Sequence, residues 1–387
     1  MYNFDKIVDR LNTDNVKYDL REAYFGKSDV LPMWVADMDF ETPDFIQEAI
    51  RKRAWHPIYG YSFRPEAYSM SIVKWVERRH HWKLEKDWIL FSPGIVPALN
   101  MATLTYTKPG DGILVQPPVY FPFFSAVNNH NRKLIENQLV YQDGKYNIDF
   151  NDFEKKAKDA KLFFLSNPHN PVGRLWTKDE LQKMGKICVE NDVIIIADEI
   201  HCDLVLPGYK YIPMASLSKE ISAKTVTCIA PSKTFNLAGM ATSSLVIEDE
   251  GLRKQFAQTI DHVHVGSGNL FGNVASIAAY THGDQWLDEL LNYIDNNFKL
   301  LGNFIEREIP DLQLIKAEAT YLAWIDFSKT GLTDEEIKQK LLNEAQLGLS
   351  PGPVFGSGGE GFQRMNLATP KVNVLSALDR LKSVFGA

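Results

Sequence analysis

The sequence predicts an α/β fold built on a mostly parallel, buried sheet. Leu162-Phe-Phe-Leu165, Val193-Ile-Ile-Ile-Ala197 and Val226-Thr-Cys-Ile-Ala230 are short continuous apolar runs. Helical segments separate them. Runs of this kind, alternating with helices, read as parallel strands covered on both faces. At 387 residues the chain is long enough for a substantial core and more than one domain.

Each run is followed by a polar residue with chemistry in it. Asn170 lies in Ser166-Asn-Pro-His-Asn-Pro-Val-Gly173, Asp198 opens Asp198-Glu-Ile-His201, and Lys233 stands in Ser232-Lys-Thr-Phe-Asn-Leu-Ala-Gly239. Ligands of open α/β sheets sit outside the carboxyl ends of the strands, so the three residues share one edge. An ammonium beside a core needs a partner or a depressed pKa. A lysine made less basic is a competent amine nucleophile. Pyridoxal phosphate (PLP) needs such a lysine for an imine and an acid for its pyridinium nitrogen. Asp198 suits the nitrogen, and Asn170 suits a hydrogen bond to the ring's phenolic oxygen. Taken singly, the same residues also fit a solvated lysine, a helix N-cap and an Asn-Pro turn.

The motifs S-N-P-H-N-P-V-G, D-E-I-H and S-K-T-F-N-L-A-G resemble those of PLP enzymes of the aspartate-aminotransferase fold (fold type I). Among these, the chain is most similar to the C–S β-lyases, the cystathionine β-lyase or cysteine-S-conjugate β-lyase group. The resemblance runs from Pro32-Met-Trp-Val-Ala-Asp-Met-Asp-Phe40 to Arg364-Met-Asn-Leu-Ala368, nearly the whole chain. It implies a large PLP-binding domain at 51–285, with a mostly parallel sheet between helices. It also implies a smaller α+β domain made of both termini, 1–50 and 286–387, and a homodimer.

Residues 1–40 are polar and close on an aromatic and apolar stretch. By resemblance this arm folds over the site, with backbone near Val35 and Ala36 lining the substrate pocket; the residues alone fit a core-packing strand equally well. Thr42-Pro-Asp44 is a helix start with Pro at the first helical position. Tyr61 reads as a turn tyrosine, and the resemblance gives it the cofactor phosphate of the other subunit. Arg78-Arg-His-His-Trp-Lys83, the strongest basic run, reads as a solvated helix end in an acidic chain. Gly94 feeds a helix-like segment at Leu99–Thr107, and free amides at a helix N-terminus suit a phosphate. The resemblance makes the amides of Ile95 and Val96 and the Ser232 hydroxyl the donors. A strand at Gly112–Gln116 leads to Tyr120, which by resemblance stacks on the pyridine ring. Phe121 stands where many lyase relatives carry a second tyrosine.

Lys133–Phe150 reads as a strand, a glycine turn and a return. Thr177 heads a capping box, followed by the core stripe Leu181, Met184 and Cys188. His201 occupies the position where aspartate aminotransferases place a tyrosine near the phenolic oxygen, and so favours the lyase subgroup. Read alone it is a helix-start histidine. His262-Val-His264 lacks the carboxylate or cysteine partners of a metal site, so no metal is expected. Residues beyond about 285 are helical and charged, Thr320–Phe327 alternates like a half-buried strand, and Thr333 heads a second capping box. Gly356-Ser-Gly-Gly-Glu-Gly361 matches the letters G-x-G-x-x-G without the strand–helix context of a dinucleotide site, and reads as a mobile loop. A guanidinium can clamp a carboxylate with two parallel hydrogen bonds. By resemblance Arg364 so binds an amino acid's α-carboxylate, a salt bridge to a nearby acid being the alternative.

The net charge of -7 argues against nucleic acid or anionic membrane as a partner. Three cysteines without a CxxC pair fit a reducing compartment. The start of the chain has no signal-peptide h-region, and no apolar run approaches a membrane span. The expectation is a cytoplasmic PLP enzyme that eliminates the sulfur substituent of cystathionine, cysteine or cysteine S-conjugates, giving a thiol, pyruvate and ammonia. An aminotransferase would share Lys233, Asp198 and Arg364, and a regulatory protein that retains PLP is a further alternative.

Overall fold

The three apolar runs lie side by side in a seven-stranded sheet. The computed structural model describes residues 1–386. The sheet comprises β1 (Ile89–Ser92), β2 (Gly112–Val115), β3 (Lys133–Glu136), β4 (Ala160–Ser166), β5 (Ile194–Asp198), β6 (Thr225–Ile229) and β7 (Ser243–Val246). Their spatial order is β1-β7-β6-β5-β4-β2-β3. Neighbours from β6 through β3 pair parallel, and β7 alone runs antiparallel to both of its neighbours. The register puts Ser166 beside Asp198 and Asp198 beside Cys228, so the carboxyl ends of β4, β5 and β6 are level.

Period-two alternation explains why the runs are apolar throughout. Phe163, Leu165, Ile195 and Ala197 face one core with Leu181, Met184 and Cys188 of the helix Lys178–Glu190. Leu162, Phe164, Ile196 and Val226 face the other with Leu99 and Ala102 of the helix Ile95–Tyr106. From β2 the chain moves on to β3 at one side, and from the adjacent β4 to β5 at the other. This reversal is a topological switch point, the crevice where such sheets bind ligands.

A second sheet of four antiparallel strands has the order Gln313–Leu314, Leu322–Asp326, Phe362–Asn366, Ser350–Pro351. Leu322–Asp326 was expected to be half-buried but is buried at every position. One face carries Trp324, stacked on Phe362 at 5.1 Å; Ala323 and Ile325 join the core that holds the helices Asp284–Glu308 and Lys371–Phe385. Leu31–Pro32 pairs parallel with Leu347–Gly348, which ties the N-terminal arm to the C-terminal region.

Several local expectations shift. Pro43 is the N-cap rather than the first helical residue of Asp44–Ala54. The helix after Gly94 begins at Ile95, four residues before the segment read from sequence. Both capping boxes form. Residues 34–38 make no strand, and no helix follows Asp198 or starts at His201; these residues lie in bends and turns.

Candidate active site

At the switch point lies a cavity of about 370 Å³. Eleven of the twelve residues singled out from the sequence line it, and only Tyr61 does not. Tyr61 is fully exposed, on a loop outside the cavity of its own chain.

Lys233 sits in the single helical turn Pro231–Thr234 that follows β6. Its stem is packed, and Nζ donates to the Ala36 carbonyl at 2.6 Å. Burial, aided by the Arg364 charge, pushes the amine down to about 8 against the opposing pull of Asp37 and Asp198. Asp198, at the end of β5, is buried. Its Oδ1 accepts from the Ile200 amide at 3.2 Å, and burial pushes the carboxyl up to about 7. The tight turn that this bond closes explains how a strand-end aspartate aims inward without capping a helix.

Arg364 stands in the middle of Phe362–Asn366, opposite Trp324 and Ser350. Nη1 donates to Asn170 Oδ1 at 3.1 Å, and Nη2 to the Trp34 carbonyl at 2.9 Å and to Ser350 Oγ at 3.4 Å. Nε has no partner. Among the described residues no carboxylate pairs with this guanidinium, so the salt-bridge alternative falls away. Burial lowers its pKa to about 10, which leaves it cationic at neutral pH. A buried cation without an anion is costly unless a ligand supplies one.

His201 is buried, with Nδ1 unpartnered. Burial and the charges of Lys233 and Arg364 push it to about 3, so the imidazole is neutral. Tyr120 lines the wall, its hydroxyl pushed up by burial. Ile95 and Val96 open their helix with no side-chain cap at Gly94, and Ser232 faces them across the same cavity. The arm's backbone is held from three directions. Asn366 Nδ2 donates to the carbonyls of Val35 and Asp37, Tyr321 Oη to that of Ala36, and Ser350 Oγ to that of Trp34.

The sequence reading missed Trp34, Tyr24, Thr242 and Ser350 on the cavity wall. Trp34 carried a signal, since it stands in the aromatic stretch that closes the arm. Ser350 carried none, because only strand pairing brings it opposite Arg364.

Fold and cavity together define an α/β protein whose lysine, carboxyl and unpaired guanidinium meet at the sheet's switch point. The chain belongs to the aminotransferase class I and II family, whose pattern matches residues 28–381. It is 44% identical over 383 residues to the cystathionine beta-lyase PatB of Bacillus subtilis (strain 168), covering 98% of this chain and 99% of that protein. It is similar in structure to cystalysin of Treponema denticola, which contains a pyridoxal 5'-phosphate cofactor: TM-score 0.96, 37% identity, 99% of this chain and 98% of that one. The PLP-bound C-S lyase of Staphylococcus hominis gives a TM-score of 0.92 at 34% identity over 100% and 98% of the two chains.

Proposed function

We propose that this chain is a PLP-dependent carbon–sulfur β-lyase that acts on cystathionine, cysteine or cysteine S-conjugates and yields a thiol, pyruvate and ammonia. The observation that carries it is the buried, anion-free Arg364 opening onto the same cavity as the weakly basic Lys233.

The residues present fit the cofactor. Lys233 is the amine for a covalent link, and Asp198 is the acid for the ring nitrogen. Asn170 Oδ1 is taken by Arg364, which leaves its amide NH₂ to donate to the ring oxygen. His201, with its unpartnered Nδ1, lies at the same wall. The amides of Ile95 and Val96 and the Ser232 hydroxyl suit the phosphate, and Tyr120 suits the ring face. When bound, PLP supplies an electron sink for the pair released from the substrate's Cα.

This chain's residues then divide the work. Arg364 fixes the α-carboxylate and so orients the Cα–H bond. Lys233, with a pKa near 8, takes the Cα proton; His201, neutral down to about 3, does not compete for it. Phe121 has no proton to give the departing sulfur; the Lys233 ammonium and the hydroxyls of Tyr120 and Tyr24 are donors that share the cavity with it.

The functional unit in this reading is a homodimer in which Tyr61 reaches the partner's phosphate site. Its support is the exposure of Trp55, Ile58, Tyr59, Tyr61 and Phe63 on one loop, an apolar patch of the kind that marks interfaces. A cytoplasmic setting is supported by three cysteines that are all free and buried. Among the described residues no helix is long and apolar enough to cross a membrane.

Transamination would use the same Lys233, Asp198 and Arg364. Pyruvate assayed from cystathionine with no 2-oxo acid present separates the two. Sustained turnover is the expected result, and a stall after one turnover would make the protein an aminotransferase.

A further inference from the structure

Three charged side chains line the catalytic cavity, Lys233, Arg364 and Asp198, beside the neutral His201. Lys233 is the amine for the covalent link, and Arg364 is proposed to hold the substrate's carboxylate. Neither is free for the cofactor's phosphate, which is left with the amides of Ile95 and Val96 and the Ser232 hydroxyl. A phosphate monoester carries close to two negative charges at neutral pH, and a helix N-terminus offsets about half of one. More than a full charge stays unmatched in a site shielded from water, which is costly without a cation.

One guanidinium outside the cavity has the opposite deficit. Arg64 ends the loop that exposes Trp55, Ile58, Tyr59, Tyr61 and Phe63, just before the helix Glu66–His80. Its Cζ lies 4.4 Å from the centroid of the Phe91 ring in β1, and Nη1 donates to the Ser267 carbonyl at 3.2 Å. A Cβ on Gly268, where φ is +71°, would come within 3.1 Å of that nitrogen and 2.9 Å of the Phe91 ring, so the seat requires glycine. Among the described residues no carboxylate pairs with Arg64, and its Nε and Nη2 make no hydrogen bond to the chain. Burial lowers its pKa. The guanidinium is therefore held in place three residues beyond Tyr61 with its charge unmatched.

We propose that Arg64 is the cation of the cofactor's phosphate, and that it serves the partner subunit's site together with Tyr61. The inference rests on the PLP site and the dimer proposed above. Arg64 is absent from the wall of its own cavity, as Tyr61 is. A loop that carries one of them to the partner's phosphate carries the other. Nε and Nη2, the pair left free, form the edge of a guanidinium that gives a phosphate two parallel hydrogen bonds. The Phe91 ring and the Ser267 carbonyl already hold the side chain, so little freedom is lost on binding.

The test compares PLP with pyridoxal, which lacks the phosphate, in phosphate-free buffer. Each is added to cofactor-free protein, and the visible absorbance of the compound linked to Lys233 gives Kd. Arg64→Met keeps an apolar stem on Phe91 and removes the charge. It is expected to weaken PLP by about tenfold or more and to leave pyridoxal unchanged, and Arg64→Lys should recover part of the loss. An equal loss for both compounds makes Arg64 a support for its own loop and overturns the proposal, as does no loss for either. A wild-type protein that binds PLP no better than pyridoxal overturns the phosphate reading of Ile95, Val96 and Ser232, and Arg64 with it. Hybrids decide which subunit is served. Arg64→Met and Lys233→Ala chains are co-refolded in equal amounts, at a PLP concentration between the wild-type and Arg64→Met Kd values. If Arg64 acts across the interface, each hybrid has one intact site, and about a quarter of all sites should fill as in wild type. Filling no greater than the average of the two parents overturns the cross-subunit assignment.

Discussion

Arg364, Lys233 and Asp198 each pair burial with an incomplete set of partners, and each was legible because it follows or heads an apolar stretch. Their energetics are testable separately. Burial raises the Asp198 carboxyl from its ordinary 3.8 to about 7, so the folded chain keeps a proton that the unfolded chain loses. Its contribution to stability is therefore complete below about pH 4 and lost as pH rises through about 7. In cofactor-free protein, Asp198→Asn should remove a downward component of Tm between pH 4 and 7, bounded at about 4 kcal/mol. His201 and His169, pushed down by burial to about 3 and about 4, supply the opposite, rising component in both proteins. Glu199, also pushed to about 7 by burial, keeps part of the slope in the variant. Lys233 adds none there, because its shift from 10.5 to about 8 acts only above that window. Arg364→Lys keeps the charge but loses the planar fork. KM for the amino acid should rise at least tenfold while the cofactor's absorbance is retained. Asp203 was not legible. Only the fold shows its Oδ1 accepting from Trp75 Nε1 at 2.9 Å and His80 Nε2 at 2.7 Å, and its Oδ2 from Thr234, next to Lys233, at 2.8 Å. His80, Cys202 and Asp203 also lie close enough to hold a metal ion, but both oxygens of Asp203 are already engaged. Asp203→Ala strands two buried donors, Trp75 Nε1 and Thr234 Oγ1, and a part-buried imidazole, and should lower unfolding free energy by about 3 kcal/mol in denaturant titration.

Among the elements, the central sheet was legible because strands covered on both faces are apolar at every position, and such runs survive any error of register. The helix start at Ile95 was obscured by Pro97, which reads as a breaker. In fact it sits in the first turn, where its missing N–H costs nothing. Leu322–Asp326 looked half-exposed because Thr320, Tyr321 and Asp326 interrupt it. Its second cover, the Phe362 and Phe355 rings on Trp324, comes from residues more than thirty positions away and leaves no local trace. The glycine-rich segment after it is a packing device. A Cβ on Gly352 would lie 1.9 Å from the Gly359 carbonyl oxygen and 2.7 Å from that of Phe362. Gly352→Ala must therefore push Ser350–Pro351 away from Phe362–Asn366. Ser350 would lose its bond to the Trp34 carbonyl, and Arg364 would lose a neighbour. The expected outcome is a raised KM together with a lower Tm, whereas Gly331→Ala, which meets nothing within 4 Å at a similar distance along the chain, should cost only the strain of its positive φ.

At the scale of the whole molecule, we propose boundaries near 50 and 285 between a unit holding the seven-stranded sheet and one drawn from both termini. Each boundary falls within or beside a helix, Asp44–Ala54 and Asp284–Glu308, so those helices act as shared struts. Oligomeric state is the property least legible from one chain, because an interface residue has no partner in its own sequence. Tyr61 makes this plain: it is fully exposed and lies apart from the cavity that it is proposed to complete. Mixed dimers decide the matter. In a two-fold dimer whose sites each take Lys233 from one subunit and Tyr61 from the other, a hybrid of Lys233→Ala and Tyr61→Ala chains has one site with both defects and one with neither. Co-refolding equal amounts of the two variants, each of low activity alone, should therefore recover about a quarter of the wild-type sites, since half the dimers are hybrids with one intact site of two. If Tyr61 instead served its own subunit, every hybrid site would carry a defect, and the mixture would show only the average of the two parents; if it served none, the Tyr61→Ala parent would be fully active alone. Titration of active sites by cofactor-linked pyruvate burst distinguishes the two, and it does so without a structure of the dimer.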